Sequence, residues 1–156
     1  MMITEVDTKA PKRATIGSCG YDIYSPIETI FYPGKSVTFD TGICLTDEDY
    51  PAMRCYMYDS LVNAPTKCVI TPIEWCVLVL PRSSFGSKYG LSFDNTVSVI
   101  DSDYRDSIKL FISVTKELHI EKGERFAQMI VFPHCLFANE EPPLEKRTGG
   151  IGSTGR

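Results

Sequence analysis

Phe126-Ala127-Gln128-Met129-Ile130-Val131-Phe132 is a short apolar run rich in branched and aromatic residues, the composition of a strand that packs within a sheet. Three other segments read the same way: Ser36-Val37-Thr38-Phe39, Cys76-Val77-Leu78-Val79-Leu80 and Ile108-Lys109-Leu110-Phe111-Ile112-Ser113-Val114. No convincing long amphipathic helix separates them. Turn signals do, at fairly regular spacing: Tyr32-Pro33-Gly34, Ser87-Lys88-Tyr89-Gly90 and Lys122-Gly123. Short strands punctuated in this way predict an all-β sandwich, barrel or jelly roll, and a jelly roll is the expected fold class.

A chain of 156 residues has the size of one domain and buries roughly two thirds of its unfolded surface. Hydrophobic content of 43% and charged content of 23% exclude a disordered or fibrous chain. No apolar run approaches the ~20 residues that span a bilayer, so no membrane partner is expected. The opening Met1-Met2-Ile3-Thr4-Glu5-Val6-Asp7 lacks a basic region followed by an apolar core, which reads as intracellular. A net charge of −4 argues against a nucleic-acid polymer as partner, because duplex binding draws its affinity from clustered Lys and Arg. Six scattered cysteines without a C-x-x-C pair read as free thiols, mostly buried, and two histidines are too few for a His-based metal site.

Two segments depart from the strand pattern. Residues 47–70 are irregular, mixing Pro51, Asn63 and Pro65 with acidic residues and Tyr56-Met57-Tyr58, and read as a long excursion. Glu140-Glu141-Pro142-Pro143 is linker-like and opens a Gly-rich end with no core of its own. The expected division is a β domain over 1–139 and a linker with tail over 140–156.

Three patterns carry chemistry. The apolar run ending in Leu80 meets Pro81-Arg82-Ser83-Ser84, where proline is expected to stop a central strand and a cation with two hydroxyls suits an anion. The tail, Lys146-Arg147-Thr148-Gly149-Gly150-Ile151-Gly152-Ser153-Thr154-Gly155-Arg156, combines exposed backbone N–H groups, hydroxyls and cations, which is phosphate-cradling chemistry. It is not a Walker loop, and composition alone favours an unstructured terminus over a phosphate cradle. Val99-Ile100-Asp101-Ser102-Asp103-Tyr104-Arg105 places two acids and a ring directly before a strand, where a carboxylate can act as general base toward water; an ordinary charged turn has the same composition.

The order of these patterns resembles the trimeric dUTPase family in five successive segments. They are Gly20-Tyr21-Asp22-Ile23-Tyr24-Ser25, Pro81-Arg82-Ser83-Ser84, Val99 to Arg105, Gly123-Glu124-Arg125-Phe126-Ala127-Gln128-Met129-Ile130, and the tail. The resemblance implies a jelly-roll homotrimer that hydrolyses dUTP to dUMP and pyrophosphate at subunit boundaries, with the tail exchanged onto a site built by other subunits. It implies that Asp101 activates the water attacking the α-phosphorus and that Mg2+ binds the triphosphate, with Asp22 near the metal through water. It assigns Ser83 and Gln128 to the phosphates, Arg82 to the support of that region, and Tyr104 to the deoxyribose. Asn95, six residues before Asp101, matches an amide that some members use on the base. Lys146 or Arg147 would reach the γ-phosphate, and Ser153 and Thr154 would add tail donors.

The chain departs from the family pattern at several places. Ile151 stands where an aromatic residue commonly stacks on uracil; Ile covers the base but does not stack. Ser84, Ser98 and Asp106 replace common glycines. A related dCTP deaminase would need a glutamate that the third segment does not supply. A dUTPase-like regulator with a protein partner at 47–70 is the other reading, and the retained Asp101 speaks for catalysis.

Overall fold

The computed structural model of the chain describes residues 3–4, 8–46, 73–135, 147 and 149–151. The 47–70 excursion, Lys146, Ser153 and Thr154 lie outside the described residues.

The opening run forms the middle of β12 (Arg125–Cys135), which pairs antiparallel with β3 (Tyr21–Tyr24) on one side and with β7 (Ile73–Pro81) on the other. With β2 (Lys12–Arg13) beyond β3 and β9 (Ser98–Ile100) beyond β7, this makes a five-stranded sheet in the order β2-β3-β12-β7-β9. Alternation sets its faces: Val77, Val79, Ala127 and Met129 are buried, whereas Leu78 and Ile130 are half-buried and Phe132 is exposed.

A second sheet runs β5 (Val37–Asp40), β10 (Lys109–Ser113), β8 (Ser92–Phe93). Two-stranded pairs complete the described structure: β4 (Thr29–Phe31) with β11 (Leu118–Ile120), and β1 (Ile3–Thr4) with β6 (Ile43–Cys44). The sheets close on Ile23, Phe39, Ile43, Ile108, Leu110, Ile112 and Phe126, each at most 4% exposed. Phe39 joins the layers, with its ring 5.8 Å from Phe31 and 5.2 Å from Phe126 in a near-perpendicular contact. The fold is the expected all-β jelly roll, and among the described residues no helix is long and apolar enough to cross a membrane.

Three local expectations need correction. Pro81 does not stand outside the strand: it is the last residue of β7, opposite Ala127, where its missing N–H costs least. Pro133 lies within β12, beyond the stretch paired to β3, where β12 has β7 as its one strand partner among the described residues. The Ser87-Lys88-Tyr89-Gly90 turn is the end of a helix, α1 (Ser83–Tyr89), capped by Gly90 at φ 64°. A side chain at Gly90 would collide with Thr115, so this left-handed stop requires glycine twice over. Of the described cysteines, Cys44 is buried, Cys76 half-buried and Cys19 exposed, so burial of the thiols is not general.

Candidate active site

Asp22, Gln128 and Leu80 face one another across β3, β12 and β7. Asp22 is 8% exposed, and a carboxylate so placed needs cations or donors. It has two. Arg82, just after β7, approaches Oδ1 through Nε at 3.3 Å, and Arg125, at the start of β12, donates from Nη1 to Oδ2 at 3.0 Å. Arg82 also donates to the Arg125 carbonyl at 3.2 Å, which ties both arginines to one strand end.

Arg125 went unassigned in the sequence although it stands in the fourth segment; the signal available was a second arginine three residues before Gln128. Gln128 lies over Gly20: a Cβ added there would stand 2.8 Å from the Gln128 amide oxygen. The first segment therefore needs a residue without a side chain at Gly20 so that Gln128 can keep its place. Ser83 opens α1 next to Arg82 with its side chain exposed. Arg82, Ser83 and Gln128 thus gather around Asp22 at one end of the five-stranded sheet.

The third segment forms a separate cluster. Tyr104 is 7% exposed; its N–H donates to the Asp101 carbonyl at 3.1 Å and its hydroxyl to the Ser107 carbonyl at 3.0 Å. Ser107 in turn donates to Asp40 at the end of β5, so the turn is anchored to the second sheet. Burial pushes the Tyr104 phenol pKa up, with Asp106 and Asp40 adding to it. Asn95, in the turn between β8 and β9, meets the hydroxyl of Ser98.

Tail residues join this second cluster. Arg147, with its side chain 12% exposed, donates through Nη2 to Asp101 and through Nε to Asp103 at 3.0 Å. Its guanidinium carbon lies 5.5 Å from the centre of the Tyr104 ring, within cation–π range. Asp103 was not assigned a role from sequence, and here it shares Arg147 with Asp101. Gly150 packs against the Asp106 carboxylate, and Ile151 is 57% exposed.

The two clusters do not meet within one chain. Ile100 pairs with Val77, so Asp101 lies beside Cys76, whose thiol pKa is raised by burial and then by the charge of Asp101. Asp22 and Gln128 lie level with Leu80, four residues along β7 and up to three strands across. At ordinary strand rise and spacing that is roughly 20 Å from Asp101 to Asp22.

Among the described residues no three His, Cys, Asp or Glu side chains converge into a metal cage. The acid available beside the phosphate-type donors is Asp22, with each oxygen already facing one arginine. With both of its oxygens facing guanidinium groups, Asp22 offers a hard cation at most a contact through water, and such a cation would take its direct oxygen ligands from water and from the triphosphate.

Comparison with known proteins bears on the family and the fold. The deoxyuridine 5'-triphosphate nucleotidohydrolase of Laribacter hongkongensis is 31% identical over 156 residues, spanning 94% of this chain and 88% of its own. That of Lactococcus lactis subsp. lactis is 32% identical over 154 residues, spanning 93% and 87%. In fold, the chain is similar to a mutant dUTPase from phage phi11 of S. aureus, described with a structural Mg(II) ion: the TM-score is 0.66 at 15% identity, over 94% of this chain and 96% of that one. A sequence profile of the dUTPase family matches residues 56–155, and with these relatives it establishes that the chain belongs to the dUTPase family.

Proposed function

We propose that this chain hydrolyses dUTP to dUMP and pyrophosphate at sites shared between subunits of a homotrimer. The separation of the two clusters carries the reading. A general base must lie within one water of the α-phosphorus, while phosphate donors must touch the same triphosphate. Within one chain Asp101 stands roughly 20 Å from Asp22 and roughly 16 Å from Gln128 at ordinary strand rise and spacing, too far for one substrate to meet both requirements, so Asp101 of one subunit serves the Arg82, Ser83 and Gln128 of another.

A surface for that association is at hand. Val99, Leu78 and Ile130 are partners across β9, β7 and β12 and share the outer face of the sheet with Phe132. Val99 is 57% and Phe132 49% exposed, an apolar stripe that a second copy would cover. Exchange of the tail keeps the contact between Arg147 and the third segment and changes only which chain supplies it.

In this mechanism Asp101 takes a proton from water as the water attacks the α-phosphorus. Ser83 and Gln128 donate to phosphate oxygens where negative charge accumulates, and Arg82 holds that region in place. Mg2+ suits the donor set as a partner of the triphosphate: Asp22 would hold it through water, and its chemistry is to neutralise charge on the departing pyrophosphate. The Tyr104 ring packs under deoxyribose, where its bulk disfavours a 2′-hydroxyl, and Asn95 faces the base. Arg147, with Lys146, Ser153 and Thr154 of the tail, closes over the phosphates. Substrate must compete with Asp101 and Asp103 for Arg147, and a triphosphate has the charge to do so.

Two assays test the reading. Pyrophosphate release is measured from dUTP, dTTP, dCTP and UTP with magnesium or with a chelator; release from dUTP with magnesium, well above the others, is expected. Then Asp101→Asn and Gln128→Ala chains, each impaired alone, are co-expressed. Recovered turnover in the mixed assembly is expected, and none would show that each chain uses its own Asp101.

A further inference from the structure

Arg147 belongs to the Gly-rich tail, yet its side chain is only 12% exposed. Three groups of the third segment receive it. Along one edge of the guanidinium, Nη2 donates to Asp101 and Nε to Asp103 at 3.0 Å. The guanidinium carbon stands 5.5 Å from the centre of the Tyr104 ring, so the cation lies over the ring while it pairs with both acids.

Tyr104 is 7% exposed with Arg147 in place. Its hydroxyl is fixed on the Ser107 carbonyl at 3.0 Å and its N–H on the Asp101 carbonyl at 3.1 Å, which holds the ring in one orientation. A sugar packs on a ring by covering one of its faces, and the face under Arg147 is the one that a tail side chain can vacate. The guanidinium therefore stands where a deoxyribose would lie, and it also engages an oxygen of the acid assigned to water activation.

Resting on the reading of Tyr104 as the sugar platform and Asp101 as the base, we propose that the tail is autoinhibitory in the free protein: Arg147 plugs the nucleoside pocket, and Asp103 is the positioning residue that holds the plug. Asp101 and Tyr104 go on to serve substrate, whereas the contact made by Asp103 belongs to the plugged state alone. An interaction made only in that state lowers the fraction of protein competent to bind, and the apparent affinity falls with that fraction. A triphosphate offsets this by giving the displaced guanidinium a new partner. A bare nucleoside gives it none. The plug acts in the same way whichever subunit supplies the tail.

The test uses 2′-deoxyuridine, which has no phosphate to respond to the charges being changed. It is titrated into the full-length protein, with thermal melts and size-exclusion profiles to confirm folding and assembly. Asp103→Asn keeps the shape and removes the charge, and should bind deoxyuridine about fivefold more tightly, the scale of one weakened hydrogen bond. Arg147→Ala should gain at least as much, and adding Asp103→Asn to it should gain nothing further, because no plug is left to hold. In the parent, saturating deoxyuridine should quicken trypsin cleavage after Arg147 by displacing it; where a variant fails to fold, this readout decides. Unchanged or weaker binding by Asp103→Asn, or an equal gain in both backgrounds, would overturn the plug. A parent that releases pyrophosphate from dUTP but is cleaved no faster with deoxyuridine would overturn it as well, with the hydrolytic function intact. A parent that neither releases pyrophosphate nor binds deoxyuridine would remove Asp101 and Tyr104 from their roles, and the proposal with them.

Discussion

Arg147 holds Asp101 by an ion pair, and the same guanidinium reaches Asp103 at 3.0 Å. A residue of the Gly-rich tail is thereby seated on the acid assigned to water activation, 46 residues earlier in the chain.

The first prediction follows from that pair. Asp101→Asn keeps the size of the side chain and removes both its basicity and its charge. Pyrophosphate release should fall about 10²- to 10⁴-fold, the range lost with a general base, while a non-hydrolysable dUTP analogue still binds. Trypsin cleavage after Arg147 should also quicken, because the amide that replaces Asp101 cannot form an ion pair. Turnover near the parent level would remove Asp101 from its assigned role.

A second prediction concerns the arginines on Asp22. Arg125 is 45% exposed, so solvent screens its share, and Arg125→Ala should cost about 1 kcal/mol in denaturant unfolding. Arg82→Ala should cost a similar amount while Arg125 remains. Removing both leaves a carboxylate at 8% exposure without either cation, and the double variant should lose about 3–5 kcal/mol, more than the two single losses combined. Strict additivity would mean that Asp22 does not bind the two arginines as a unit.

How far this could be read beforehand depended on distance along the chain. The strand runs around Leu80 and Phe126 were legible because alternation and branched residues act locally, and Asp101 and Tyr104 were legible because one turn holds them. The pairing of Asp22 with Arg125 spans 103 residues and depends on the register of β3 against β12, which shifts between Arg125 and Ala127. No local pattern encodes that shift. Pro81 was misjudged for a related reason: a proline rule needs to know where along the strand the partner's hydrogen bonds fall, and that is a property of the sheet.

The third prediction is at the tail. Ile151 is 57% exposed and offers a branched aliphatic surface where an aromatic ring would stack on a base. Base–aromatic stacking is worth ~1–3 kcal/mol, up to about a hundredfold in affinity. Ile151→Phe should therefore tighten binding of a non-hydrolysable dUTP analogue within that range on calorimetric titration. Unchanged affinity would mean that Ile151 does not lie over the base when the tail closes.

The fourth prediction separates stability from catalysis, since it concerns Asp94, away from the proposed reacting groups. Ser113 donates to Asp94 Oδ1 at 2.6 Å and Ser36 donates to Oδ2, which links the strands of the smaller sheet through one carboxylate. These two bonds, that from Ser113 first, lower the Asp94 pKa below its ordinary value. A carboxyl pKa depressed by folding contributes stability above the unfolded pKa, and that contribution disappears as pH falls through the folded value. Asp94→Asn is isosteric and cannot ionise, so it should melt below the parent at neutral pH. The gap should stay level down to the ordinary carboxylate range and then close below about pH 4, as the parent carboxylate takes up its proton. Turnover at neutral pH should be unaffected at temperatures where both proteins are folded. A melting gap as wide in acid as at pH 7 would show that the serines bind the neutral acid as well as the carboxylate, and that ionisation of Asp94 does not hold the smaller sheet together.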